Sequence, residues 1–378
     1  MPVITCNEDL RQLAMRRAPR AIFDYVDRGS YDEATIRANR ADFDAIKLRQ
    51  RVMIDVDNRS LRTTMAGEDV AMPVALAPTG LTGILHANGE ILAARAAQAF
   101  GVPFTLSTLS ICSIETVRAA VDKPFWFQFY VMRDRGFAAS LVERAKAAQC
   151  PALMLTVDLQ ILGQRHRDLK NGLTVPPKLT LRNAFDIASK PRWALAMLRT
   201  PHRSFGNVAG ALAGTRDLTT LSQWIASQFD PTLSWRDVEW VRGLWPGKLI
   251  IKGVLDPDDA RHAADAGADA IVVSNHGGRQ LDGAPSAISV LPRIVDAVGD
   301  RTEVLLDSGV RSGQDVLKAL ALGARGTMIG KAFMYGLGAM GQAGVTTALE
   351  LIRKELDVSM ALTGTCDVRA VGPQVLWR

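Results

Sequence analysis

Eight short apolar runs constrain this chain more than any other feature. They are Val74 to Ala77, Val102 to Leu106, Phe125 to Phe129, Ala152 to Val157, Leu249 to Val254, Ala270 to Val273, Glu303 to Leu306 and Thr327 to Ile329. Each empties into polar or glycine-rich residues, and amphipathic stretches of helical length, such as Glu90 to Phe100 and Ala138 to Ala148, separate them. Runs that are apolar throughout are those of parallel strands covered on both faces. Residues at or just past their ends (Pro78, Ser107, Tyr130, Asp158, Lys252, His276, Asp307, Gly330) mostly recur at intervals close to the roughly 30-residue unit of a (β/α)8 barrel. The predicted class is therefore α/β, a (β/α)8 TIM barrel with N-terminal helices and a long insertion after strand 4. A doubly wound sheet is the rival, but it would carry Gly-x-Gly-x-x-Gly after its first strand, and none follows Val74 to Ala77.

Ahead of the first run, residues 7–40 read as helices. Asn7 is the expected N-cap of one with Leu10, Leu13 and Ala14 on a single face, and Ile22-Phe23-Asp24-Tyr25-Val26 begins another that Gly29 stops. The gap from Asp158 to Lys252 is too long for one crossover, so about 159–245 is expected to be a lid or interaction segment within one 1–378 domain. Its opening, Arg165-His166-Arg167-Asp168, is polar. Its middle, Lys190-Pro191-Arg192-Trp193-Ala194-Leu195-Ala196-Met197-Leu198-Arg199, mixes aliphatics and Trp with basic residues. That composition suits either a lid helix packed on the barrel or an interfacial helix over about 190–210 touching a membrane, and the lid is the first expectation.

With 378 residues, 48% of them hydrophobic, core is ample. Lys+Arg 45 against Asp+Glu 39 leave a net +6, which suits small acidic ligands or an anionic surface. Neither an RRM-like aromatic signature nor a helix-turn-helix pattern occurs, so no nucleic-acid partner is expected. Cys6, Cys112, Cys150 and Cys366 show neither a C-x-x-C pair nor zinc spacing, so no metal and a reducing cytosol are expected. Charges among residues 8–17 leave no signal-peptide core, and no run of 18 apolar residues occurs. The expected location is cytoplasmic, with peripheral contact on the inner face of the cell membrane if residues 190–210 bind it.

A barrel gathers its strand ends around one mouth, so residues far apart in sequence can cooperate. There His276 can act as a base, Asp158 can orient it and stabilise its cation, and Arg165 and Arg279 offer guanidinium forks for a carboxylate. Tyr25 and Tyr130 add hydroxyl donors. After strand seven comes Asp307-Ser308-Gly309-Val310-Arg311-Ser312-Gly313, and after strand eight Gly330-Lys331. Glycines in these two loops let backbone N–H groups approach a phosphate, and Arg311 and Lys331 balance its charge. A phosphate-bearing cofactor beside a base and a carboxylate clamp points to redox chemistry at the carbon next to a carboxylate.

These motifs resemble the FMN-dependent L-2-hydroxy acid dehydrogenase and oxidase family, which includes lactate and mandelate dehydrogenases and glycolate oxidases. Ser-Asn-His-Gly-Gly-Arg-Gln-Leu-Asp at 274–282 resembles its active-site signature. Ala-Pro-Thr-Gly at 77–80, Phe-Gln-Phe-Tyr at 127–130, Thr-Val-Asp at 156–158, Ile-Lys-Gly-Val at 251–254 and Asp-Ser-Gly-Val-Arg-Ser-Gly at 307–313 follow in the same order. The resemblance implies FMN across the barrel mouth, with Pro78, Thr79 and Gly80 near its reactive edge and Ser107, Gln128 and Thr156 bonded to its ring. Lys252 would stabilise its reduced anion, while Asp307, Gly309, Arg311, Gly330 and Lys331 would hold the ribityl chain and phosphate. Tyr25, Arg165 and Arg279 would clamp the substrate carboxylate. Tyr130, counted with His276 and Asp158 as catalytic, would contact the hydroxyl end. His276 would take a proton from the substrate's C2 or from its hydroxyl.

Three positions depart from the commoner family pattern. Lys331 stands where Arg is usual, which keeps the charge but loses the fork. Leu109 stands where glycolate oxidases tend to carry Trp, and Gly80 where oxidases tend to carry Ala, a combination that favours a dehydrogenase with a substrate other than glycolate. The resemblance therefore implies oxidation of an L-2-hydroxy acid, first of all L-lactate to pyruvate, with electrons passed to a quinone or another non-oxygen acceptor. Mandelate or a larger 2-hydroxy acid, an oxygen-using oxidase, and a non-catalytic flavin-binding barrel are the other readings. A homo-oligomer, a tetramer by resemblance, is also expected.

Overall fold

The eight apolar runs are eight parallel strands: β1 (Val74–Leu76), β2 (Thr105–Ser107), β3 (Trp126–Phe129), β4 (Ala152–Thr156), β5 (Lys248–Val254), β6 (Ala270–Val273), β7 (Glu303–Leu306) and β8 (Gly326–Ile329). The computed structural model describes residues 2–173, 180–209 and 218–377. Neighbouring strands pair in the order 1-8-7-6-5-4-3-2, and a single parallel bridge, Leu76 with Phe104, closes β1 onto β2. That seam is short because Pro103 has no N–H; its carbonyl instead accepts from Leu76 N at 2.8 Å. For the same reason β2 begins at Thr105 and not at Val102 as the apolar run implied. The architecture is a nearly closed TIM barrel with helices between its strands.

Alternate residues of the strands fill the barrel: Ala75, Trp126, Met154, Ile250, Val272, Leu305 and Met328 are all buried. The inner cluster also holds Met65, Ala66 and Val70, which come from an antiparallel hairpin, Thr63–Met65 with Glu68–Val70, at the N-terminal end of the barrel. Glu68 accepts a hydrogen bond from the Trp126 indole. This hairpin is absent from the sequence reading, because three-residue strands carrying Glu68 and Asp69 show no apolar run. Truncating a buried Met of this kind, such as Met65, to Ala should cost about 2–5 kcal/mol.

Three N-terminal helices, α1 (Asn7–Arg17), α2 (Arg20–Asp27) and α3 (Ala34–Ala45), run beside the opposite, C-terminal end. Two expectations here need correction. Cys6, not Asn7, is the N-cap of α1, because the Asp9 carboxylate reaches back to the N–H groups of Thr5 and Cys6 at 2.8 and 3.2 Å. Helix α2 ends at Asp27 without help from Gly29. Gly29 serves a close approach instead: a Cβ there would lie 2.5 Å from the Gly278 carbonyl, and Ser30 N donates to that same oxygen at 3.0 Å. The N-terminal helices are thereby fastened to the 274–282 loop.

Between β4 and β5 the chain forms short helices His166–Lys170, Leu181–Ala188, Pro191–Arg199 and Leu218–Gln228, then the crossover helix Trp235–Leu244. Parts of the expected insertion, 174–179 and 210–217, lie outside the described residues. Phe205, Val208, Leu221 and Ile225 make a small separate core against Leu81, Leu109, Trp224 and Phe229. Among the described residues, no helix is long and apolar enough to cross a membrane.

Candidate active site

Every expected site residue except Gln128, Thr156 and Asp158 lines one cleft at the C-terminal ends of the strands. Those three lie just behind its wall, and each carries a buried polar atom without a partner: Gln128 Nε2, Thr156 Oγ1 and Asp158 Oδ2. The orphan on Gln128 has a definite orientation. Its Oε1 accepts from Ser107 Oγ at 3.1 Å and from Thr108 N at 3.2 Å, so its NH2 is left to donate elsewhere. A buried donor without a partner costs about 1–3 kcal/mol, which a ligand acceptor would recover.

His276 follows β6 in the left-handed region (φ 57°), a costly conformation for a residue other than glycine. The loop holds it there: Ser274 Oγ accepts His276 N at 3.0 Å, and Ser308 Oγ accepts Gly277 N at 3.0 Å. Its Nδ1 is 2.9 Å from Asp158 Oδ1. The carboxylate can only accept, so Nδ1 carries the hydrogen and Nε2 keeps a free lone pair. Asp158 is seated by Gly253, whose φ of +106° and missing Cβ leave room; a Cβ would meet the Asp158 carboxyl carbon at 2.6 Å. Gly253 also marks the register shift between Lys252 and Val254 where β5 pairs with β6.

That bulge seats Lys252, whose Nζ is 2.9 Å from both Asp307 Oδ2 and Ser274 Oγ. Burial opposes the lysine's charge, but the Asp307 and Asp158 carboxylates outweigh it and raise its pKa above the ordinary value. Burial likewise opposes the Asp307 charge, and Lys252 and the Ser274 hydroxyl overcome it, so its pKa is lowered. Asp307, expected to hold a ribityl chain, lines the cleft, with its Oδ2 engaged by Lys252 and Ser274.

The same cleft is lined by two arginines. The Arg279 and Arg165 guanidinium carbons lie 4.5 and 5.3 Å from the Tyr25 ring centroid. Arg165 Nη1 is 3.3 Å from Asp168 Oδ2, whereas Arg279 donates to the Tyr25 and Arg28 carbonyls. Among the described residues no carboxylate forms an ion pair with Arg279. Burial first, then Arg165, lowers its pKa from the usual value, so an anion beside it would favour its charged form. Tyr130 lines the cleft as well. Burial, then the Asp158 carboxylate, pushes its phenol far above its ordinary pKa, so at neutral pH it is a hydroxyl donor.

At the other end, the Gly309 carbonyl accepts from Arg40 Nη1 at 2.5 Å, and Arg311 lies over the Tyr335 ring. Lys331 differs from expectation. Its Nζ donates to the Asp27 carbonyl at 2.9 Å, and burial, then Arg279 and Arg311, lower it to about 7. Asp27 itself is gripped by Arg11 at 2.7 and 2.8 Å and by the Tyr335 hydroxyl at 2.7 Å. Ser274, Ser308, Arg40 and Gly253 thus support the site although the sequence reading assigned them no role there. Isolated serines and glycines carry no pattern that distinguishes support from an ordinary turn.

The sequence profile described as FMN-dependent dehydrogenase matches residues 14–378. An L-lactate dehydrogenase of Caulobacter vibrioides is 52% identical over 376 residues, covering 99% of this chain and 98% of that one. The crystal structure of a monotopic membrane protein, (S)-mandelate dehydrogenase, superposes with a TM-score of 0.95 at 37% identity over 100% of both chains. A soluble mutant of the membrane-associated (S)-mandelate dehydrogenase from Pseudomonas putida gives a TM-score of 0.84 at 36% identity over 99% of both.

Proposed function

Because the chain belongs to the FMN-dependent dehydrogenase family, we propose that it oxidises L-lactate to pyruvate and passes the electrons to a quinone or another non-oxygen acceptor. The observation that carries this reading is the gathering, at one cleft, of a His276–Asp158 dyad and two arginines of which Arg279 has no carboxylate partner among the described residues. The cleft also suits FMN. The orphan donor of Gln128, the Thr156 hydroxyl and the Lys252 ammonium would face the acceptor edge of the ring, and Gly309, Arg311, Gly330 and Lys331 would take the phosphate. When bound, FMN supplies the two-electron acceptor.

In this reading the chain's own side chains do the rest. Arg279 and Arg165, stacked on Tyr25, grip the substrate carboxylate in forked geometry. Tyr130 donates to the hydroxyl end. His276 Nε2 takes one proton, from C2 or from the hydroxyl, and Asp158 stabilises the imidazolium that results. Lys252 places a fixed positive charge where negative charge develops. The chain would form one barrel domain with its insertion, and assemble as a homo-oligomer.

The test is a steady-state panel of L-lactate, glycolate and mandelate, with a quinone analogue and oxygen as acceptors. L-lactate with the quinone analogue should give the highest kcat/KM. Strong oxygen uptake would overturn the dehydrogenase reading, and a colourless protein without FMN would favour a non-catalytic barrel. Mandelate is the second reading, favoured by the likeness to mandelate dehydrogenase; a higher kcat/KM for it than for L-lactate would install it.

Membrane contact through the insertion is also proposed. Trp193 is pinned inward, its indole donating to the Ile84 and Leu85 carbonyls at 3.0 and 3.2 Å, as a lid helix requires. Yet Leu181 and Phe185 are 83% and 77% exposed, and Leu198 is 69% exposed beside Arg192 and Arg199. An apolar strip flanked by basic residues is the pattern of an interfacial helix. Replacing Leu181 and Phe185 by Asp should move the protein from the membrane to the soluble fraction with FMN retained; unchanged partitioning would leave only the lid.

A further inference from the structure

We propose that Asn207, on the insertion, is a positioning residue for the substrate pocket: it pins the loop after β2 and so fixes where Leu109 stands. The inference rests on the 2-hydroxy acid reading of the cleft and adds to it a residue that does not line that cleft.

Asn207 is completely buried. Its amide donates to the Ser107 carbonyl at 3.2 Å, the Thr108 carbonyl at 3.4 Å and Ser110 Oγ at 3.0 Å, while its side-chain oxygen accepts from Ile114 N at 2.8 Å. Its neighbour Gly206 donates from its backbone N to the Ser110 carbonyl at 3.1 Å. Every one of these bonds lands on residues 107–114. That segment has only short regular structure of its own, so its buried carbonyls need partners from elsewhere. Arg144 in turn holds the Asn207 carbonyl at 2.8 Å, anchoring the pin to the helix Arg135–Ala147.

The pinned loop carries Leu109 into the cleft. Its carbonyl accepts from Leu81 N at 3.1 Å, and a Cβ on Gly80 would stand 3.5 Å from Leu109 Cβ, in ordinary contact. Behind Leu109 lies the insertion's own small core, with Phe205 and Val208 on either side of Asn207. The insertion therefore builds the outer wall of the pocket, and Asn207 is the polar joint between that wall and the barrel. Glu90 secures the same loop from the barrel side, accepting Ile111 N at 2.9 Å, so losing Asn207 should loosen the Leu109 end and spare the overall fold.

The holoenzyme carrying Asn207→Ala or Asn207→Asp should be compared with Thr302→Val, which removes an equally buried bond (to the Ala268 carbonyl, 2.9 Å) at the far end of the barrel. Asn207→Ala should keep FMN and raise the KM for L-lactate about tenfold, with a smaller fall in kcat. The ratio of kcat/KM for L-lactate over mandelate should shrink about tenfold as the wall yields. Pyruvate binding, followed by the absorbance of bound flavin without turnover, should weaken in parallel. Asn207→Asp keeps the acceptor for Ile114 N but sets an oxygen against the Ser107 and Thr108 carbonyls, so its changes should be at least as large; Asn207→Ser, whose hydroxyl can still donate one bond, should fall between wild type and alanine and carries the test if the other variants do not fold. Wild-type KM and selectivity in a folded Asn207 variant, or an equal change in Thr302→Val, would overturn the proposal. A wild-type enzyme whose flavin no 2-hydroxy acid reduces would overturn the functional reading instead.

Discussion

His276→Ala should slow the bleaching of bound FMN by L-lactate about 10,000-fold, the upper range of what a positioned general base contributes, while the yellow cofactor stays bound. The expectation comes from geometry. Nδ1 is committed to Asp158 at 2.9 Å, so Nε2 is the free lone pair, and His276 lines the same cleft as the two arginines. Stopped-flow absorbance under anaerobic conditions reads the step directly, and near-normal bleaching would remove His276 from the mechanism. Asp158→Asn sharpens the test. An amide can present its NH2 to Nδ1 and so shift the hydrogen to Nε2, leaving no base where one is needed; roughly a 100-fold or greater loss is expected.

Lys252→Met should both destabilise the protein and slow its chemistry, and a second substitution separates the two effects. Removing the ammonium strands Asp307 as an unpaired carboxylate, which costs about 3–5 kcal/mol in a buried pair. Adding Asp307→Asn removes the stranded charge, so the double variant should regain most of that stability in urea unfolding. Flavin reduction should stay slow in both, because the fixed cation is gone. Recovery of activity along with stability would make the pair purely structural.

The same pair sets a pH window. Lys252 is raised, so its contribution is full below the unfolded lysine value and fades as pH climbs through the folded one. Asp307 is lowered, so its contribution is full above the unfolded aspartate value and fades as pH falls through the folded one. Wild-type stability should therefore exceed that of the uncharged double variant most evenly between roughly pH 5 and pH 9.

Much of this site could be read along the chain. A buried parallel strand must be apolar to its end, and the polar residues after it must emerge at the mouth, which is why Asp158, His276 and Asp307 could be found from strand ends and side-chain type together. Other features have no such one-dimensional mark. The bulge at Gly253 depends on the pairing of β5 with β6. The hairpin 63–70 is recognisable as a plug only once the barrel above it exists. Lys331 was expected beside a phosphate, and its hydrogen bond to the Asp27 carbonyl, more than three hundred residues away in the chain, has no mark in the sequence. Asn207 is one asparagine in a long insertion, and its bonds span about a hundred residues to the loop after β2.

The sequence by itself determined the barrel, the end of it that carries chemistry, and the groups available there, because strand period and side-chain type are local properties. Tertiary structure alone decided which atom each group presents: Nε2 of His276, the free NH2 of Gln128, a Lys331 ammonium set on the Asp27 carbonyl, and an Arg279 without a carboxylate partner among the described residues. Those outcomes follow from distance and burial between residues far apart in the chain, and electrostatic coupling of that kind exists only once the fold has brought them together.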